Sequence, residues 1–94
     1  MATATARHIL VDSEQVCNDL KTQIQNGETT FEEAAQSYSQ CPSGNEGGNL
    51  GSFGQGAMVP EFDEVVFKEE VGVVHGPVQT QFGYHLLEVT SRKD

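Results

Sequence analysis

The amino-acid sequence predicts an α+β fold: a four-stranded, mainly antiparallel sheet surrounded by helices, in the order β-α-α-β-α-β-β. Three observations carry that prediction. An early stretch and two late ones are short, apolar and bounded by turn formers, as strands are. Between them lie three stretches with apolar residues at helical spacing. A glycine-dense segment in the middle still carries large apolar residues, so it is folded rather than a plain linker.

The first strand covers Ala6 to Val11, the run ARHILV. Asp12-Ser13-Glu14-Gln15 follows as a capping-box pattern, with Asp12 as the N-cap and Gln15 reaching back. Val16, Leu20 and Ile24, with Cys17 beside them, then form one side of a helix running to about Asn26 and stopping at Gly27. A second cap lies at Thr30, three residues before Glu33; behind it Phe31, Ala34, Ala35 and Tyr38 repeat at the spacing of an amphipathic helix ending near Ser39. Cys41-Pro42-Ser43-Gly44-Asn45 signals a turn, after which Leu50 and Phe53 hold a short extended segment between tight turns. Pro60 opens the third helix, where a missing N–H is harmless, and Phe62, Val65 and Val66 supply its apolar face. The final strands span Pro77 to Thr80 and Tyr84 to Thr90, joined by a tight Gln81-Phe82-Gly83 turn.

Bulk properties bound the function. Ninety-four residues with 36% hydrophobic content make one domain, residues 1–94, near the lower size limit for a single hydrophobic core. Fourteen acidic residues against five Lys and Arg give a formal charge of -9, without the cation cluster that phosphate contacts need, so nucleic acid is an improbable partner. The same charge disfavours anionic membranes and mildly favours neutral or basic peptides, although a solvated surface accounts for most of it. No apolar run is long enough to span a membrane, and the N-terminus lacks a secretory pattern. Cys17 and Cys41 are too few for a disulfide framework and suit free thiols in a reducing compartment. A cytoplasmic monomer is the resulting expectation.

Three features carry potential chemistry. His8 lies in the first strand and His85 in the last. If those strands are neighbours, the imidazoles can share a hydrogen bond that fixes their tautomers; otherwise each is separately exposed or satisfied by backbone. Cys41 stands in a turn before Pro42, and is either a small buried hydrophobe or a member of a cysteine–histidine set. That set suits a nucleophile, a zinc site or a polar pocket floor, but the usual closely spaced ligand pairs are missing, which weighs against metal. Leu50, Met58, Phe62 and Phe82 lie near turns and form either core or an exposed apolar slot.

The blocks HILV, FEEAAQSYS, CPSGNEGGNLGSF, GQGAMVPEFDEVVF and GPVQTQFGYHLLEV keep one order and spacing from about residue 5 to residue 91. Together they resemble the parvulin family of peptidyl-prolyl cis/trans isomerases, most of all its small free-standing prokaryotic members. The resemblance implies a parvulin (FKBP-like) fold and an isomerase of X-Pro bonds that needs no cofactor. It implies that His8 and His85 are the paired histidines behind the active site and that Cys41 holds a position where the family has Cys or Asp. Thr80 matches a hydroxyl residue in the polar network beneath them, and Leu50, Met58, Phe62 and Phe82 match the proline-binding pocket. Val59 stands where some relatives have a polar residue and is left out of the expected site. Phosphate-selective relatives carry a basic cluster in a longer loop after the first strand; here Asp12 to Gln15 is short and acidic. The expected partners are therefore unphosphorylated proline-containing peptides and unfolded or flexible proteins, in support of folding. Two rivals stand beside the enzyme: a non-catalytic chaperone of the same fold, and a thiol-redox role, which lacks a Cys-x-x-Cys pair.

Overall fold

A computed structural model describes residues 2–93. The elements are β1 (Thr3–Val11), α1 (Glu14–Gln25), α2 (Phe31–Tyr38), a 3-10 turn (Pro42–Glu46), β2 (Asn49–Gly54), α3 (Pro60–Lys68), β3 (Val74–Thr80) and β4 (Gly83–Lys93). The strands form one sheet in the order β2-β1-β4-β3, and every neighbouring pair is antiparallel. The predicted order of elements is the observed one.

Local chemistry explains most boundaries. Thr30 adopts an extended backbone, and its hydroxyl accepts the Glu33 N–H at 3.1 Å, starting α2 as the cap pattern predicts. Pro60 is the first residue of α3. Gly27 follows α1 with φ of 78°, a conformation that side-chain-bearing residues rarely adopt, and so stops that helix.

The start of α1 differs from expectation. Val11 is still paired with Tyr84, so Asp12 forms the bend and Ser13 becomes the N-cap, accepting from the Val16 N–H at 3.4 Å. Gln15 turns forward instead, donating to Asp19 Oδ1 at 3.0 Å. Rotation of the cap shifts the buried stripe to Cys17 and Leu20, leaving Val16 36% exposed. Three strands also run longer than predicted: β1 starts at Thr3, β3 at Val74, and β4 continues to Lys93. These extensions are polar or glycine-containing segments held by their neighbours in the ladder, for example Thr3 opposite Lys93.

Alternation along the strands sorts the core onto two faces. On one, Ile9, Val11 and Leu86 pack with Cys17 and Leu20 of α1 and Phe31, Ala34 and Ala35 of α2. On the other, Ala4, Ala6, Leu87 and Val89 pack with Phe53 of β2 and Phe62 and Val66 of α3. Burying each large apolar side chain contributes about 1.5–3 kcal/mol, so both faces stabilise the sheet. Arg7 ties α2 down, its guanidinium 5.0 Å from the Phe31 ring centre and bonded to Glu88 and Glu32.

Candidate active site

His8 and His85 share the α3 face. In the β1–β4 ladder Leu10 lies opposite His85 and His8 opposite Leu87, so the two histidines are diagonal neighbours rather than direct partners. That offset brings the rings together, with Nδ1 to Nδ1 at 3.2 Å and the rings 20° from parallel. The remaining nitrogens point to opposite sides. His85 Nε2 meets Thr80 Oγ1 at 2.7 Å, and His8 Nε2 meets Ser43 Oγ at 3.1 Å. Ser43 Oγ in turn donates to Cys41 Sγ at 3.3 Å, while the Phe82 N–H donates to Thr80 Oγ1 at 3.1 Å.

These contacts close into a single run across the sheet. With both rings neutral, the Phe82 N–H donates to Thr80, the Thr80 hydroxyl to His85 Nε2, and His85 Nδ1–H to His8 Nδ1. His8 Nε2–H then donates to Ser43, and the Ser43 hydroxyl to Cys41. The assignment of protons follows from this network. Burial lowers both imidazoles to a pKa of about 4, with His8 adding a repulsive contribution at His85. His8, His85 and Thr80 are 5%, 3% and 7% exposed, and among the described residues no buried side-chain nitrogen or oxygen lacks a partner.

The backbone holds His8 as firmly as the side chains do. Its N–H donates to the Gly48 carbonyl at 2.9 Å. Gly48 has φ of 84°, and a Cβ there would run into the His8 carbonyl oxygen. The glycine-dense segment is thus what lets the chain pass close beneath the first histidine.

Above the network lies an apolar cavity of about 350 Å³. Phe62 stands edge-on over both imidazoles, with ring centres 5.5 Å from His8 and 4.5 Å from His85. The cavity brings together seven of the eight predicted site residues: His8, Cys41, Leu50, Met58, Phe62, Phe82 and His85. Thr80, the eighth, is not in its lining and sits behind His85. Val59 was excluded from the expected site but forms part of the wall, because it caps α3 immediately after Met58. Leu10, Gln40 and Pro42 complete the lining. Leu10 was detectable from sequence, since it shares a strand face with His8; Ser43, the link between His8 and Cys41, left no signal in spacing or pattern.

The site's donors are already committed. All four imidazole nitrogens face one another or hydroxyls, and among the described residues no group of three His, Cys, Asp or Glu side chains gathers to hold a metal. No Lys or Arg lines the cavity.

Residues 5–91 match the PPIC-type PPIase domain, described as Rotamase. The chain belongs to the PPIC-type peptidyl-prolyl isomerase family. Its parvulin fold is seen in solved relatives of two sizes. The PrsA peptidylprolyl isomerase of Bacillus anthracis superposes with a TM-score of 0.93 at 39% identity, covering 99% of this chain and 43% of that one. NmPin, the parvulin of Nitrosopumilus maritimus, gives 0.85 at 30% identity, covering 97% and 98%. In sequence, the foldase protein PrsA of Geobacillus sp. (strain WCH70) is 44% identical over 90 residues, which is 95% of this PPIC-type chain and 32% of that protein. The chain therefore spans about a third of the length of the PrsA relatives it matches.

Proposed function

We propose that the chain catalyses cis/trans isomerisation of X-Pro bonds in unphosphorylated peptides and in unfolded or flexible proteins, assisting their folding. The observation that carries this reading is an apolar cavity floored by a neutral, fully paired polar network. Rotation about the peptide bond must cross about 18–20 kcal/mol because twisting removes amide resonance. A thousandfold acceleration needs about 4 kcal/mol of that barrier removed.

Leu50, Met58, Phe62 and Phe82 grip the proline ring, but grip alone is equal in the cis, trans and twisted states and lowers only KM. The rate gain must come from what differs in the twisted state. A twisted amide has lost its resonance dipole, so an apolar enclosure disfavours it less than the planar amide. The carbonyl of the residue before proline swings past Cys41, whose sulfur is held by Ser43. Cys41 acts as a polar neighbour tuning that field, without a covalent bond to substrate. His8, His85 and Thr80 keep the floor rigid and neutral; isomerisation transfers no proton.

Replacing Cys41 by Asp is expected to retain activity within about tenfold, a change of about 1.4 kcal/mol in barrier, measured by kcat/KM. Complete loss with an intact fold would instead support a covalent role. Absence of cations from the cavity supports unphosphorylated substrates. Exchange NMR on Ala-X-Pro-Phe peptides, with X varied and including phosphoserine, tests the function directly. Acceleration of unphosphorylated peptides is the expected result, and faster turnover of the phosphorylated peptide would overturn the substrate class. Phe82, 61% exposed at the rim, favours a second reading as a holder of proline-containing chains. Binding without catalysis by a folded sample would select it.

We further propose that the chain works as a monomer in the cytoplasm. The free thiols of Cys17 and Cys41 support a reducing compartment. Sedimentation and cell fractionation test these two points.

A further inference from the structure

A second pocket opens beside the proline cavity. It has a volume of about 180 Å³ and is lined by Val59, Pro60, Glu61, Thr80 and Gln81. Val59 belongs to both pockets, and Gln81 directly precedes Phe82 of the first, so the two are adjacent. The hydrogen-bonded floor gives this arrangement a direction. It runs from Cys41 through Ser43 to His8 on β1, then to His85 on β4 and Thr80 on β3. The small pocket is thus at the Thr80 end and the thiol at the other.

Charge is distributed unevenly around it. Among the described residues, the ion pairs engage Glu32, Glu88 and Glu64; Glu61 is one of the many carboxylates outside them, and it is the one that lines this pocket. The protein's cations are placed elsewhere. Arg7 and Lys68 are in those pairs, Lys21 donates to the Gly76 carbonyl, Arg92 to the carbonyls of Val66 and Glu69, and Lys93 lies opposite Thr3 at the sheet end. The first turn of α3 is an electrostatically favourable place for Glu61, but that local effect supplies no partner for it.

We infer that this small pocket receives the side chain of the residue following the substrate proline and selects for a cationic one. The inference rests on the isomerase reading, in which the carbonyl before proline lies at the Cys41 end. The chain leaving the proline ring is then carried toward Thr80 and Gln81. A Lys or Arg side chain there meets the Glu61 carboxylate and the Gln81 amide oxygen, both hydrogen-bond acceptors. An acidic side chain meets a like charge with no cation nearby.

The test uses the full chain, isotope-labelled, with peptides Ala-Ala-Pro-X-Ala in which X is Arg, Leu or Glu. Titration gives Kd from amide shifts, and exchange spectra of the same samples give the isomerisation rate. The Arg peptide is expected to bind about three- to fivefold more tightly than the Glu peptide at low salt, the range of an exposed ion pair. The ratio should shrink at high salt. In Glu61→Gln it should approach one, and in Glu61→Lys the order should invert. An unchanged ratio in Glu61→Gln, or equal binding of the three peptides by the unsubstituted chain, overturns the inference. A purely local role for Glu61 in α3 would change stability and leave the ratio alone. Failure of the isomerase reading shows separately, as absent rate acceleration with every peptide, while the Kd ratios still report on the pocket.

Discussion

The two faces of the sheet are built from the same strands and differ in what covers them. On one face, α1 and α2 lie over Ile9, Val11 and Leu86, and the buried side chains of that cluster are all hydrophobic. On the other, the nine-residue α3 covers Ala4, Ala6, Leu87 and Val89 and leaves the ground above His8 and His85 open as the cavity. One side is a closed core and the other a half-closed one, whose vacancy is floored by polar groups that satisfy each other. The difference shows how a chain this small supports a site: one face supplies stability while the other is left incomplete.

Substitutions can separate the faces. Leu86→Ala should cost about 2–5 kcal/mol and Phe62→Ala about 3–5 kcal/mol in urea unfolding. Turnover of the folded fraction should survive the first change and collapse with the second, because only Phe62 stands over the imidazoles. Equal loss of turnover in both would erase the functional distinction.

Acid should weaken the open face first. The unfolded histidines take up protons as pH falls below 6.5, whereas the folded pair resists until about 4. Stability contributed by the neutral pair is therefore complete above pH 6.5 and is lost as pH falls from 6.5 toward 4. The loss is on the order of 3 kcal/mol for each histidine, read from urea midpoints across that window. Isomerase rates should stay level between pH 5.5 and 8, with imidazole NMR signals marking the rings as neutral; a rate step near pH 6.5 would contradict the closed network.

Thr80→Val should have a smaller effect. It leaves His85 Nε2 without its partner, for a loss of about 1–3 kcal/mol, accompanied by a fall in turnover as the floor loosens. The smallest effect separates the thiols. Burial raises the Cys17 thiol to about 11, against a lowering effect of Lys21, while Cys41 borders the cavity. Iodoacetamide on the native protein should label Cys41 and spare Cys17, with mass spectrometry as the readout and no measurable change in stability.

Legibility in the sequence followed the range of the interactions. The start of α2, the proline at the head of α3 and the stop at Gly27 depend on neighbouring residues and could be predicted from them. The true cap of α1 could not, because β4 holds Val11 and so decides whether Asp12 or Ser13 ends the turn. The resemblance implies that His8 and His85 are paired and that Cys41 holds a family site position, but spacing leaves the histidine pair open, since its diagonal offset is a property of strand register. Ser43 was missed for the same reason: its significance comes from a histidine 35 positions away.

Thr3 lies opposite Lys93 in the central ladder, so the polypeptide enters and leaves the sheet side by side. Directly opposed residues in an antiparallel pair are only about 5 Å apart. A module with that geometry can be spliced into a single surface loop of a host protein, much as a cassette fits a slot, without stretching the host's backbone.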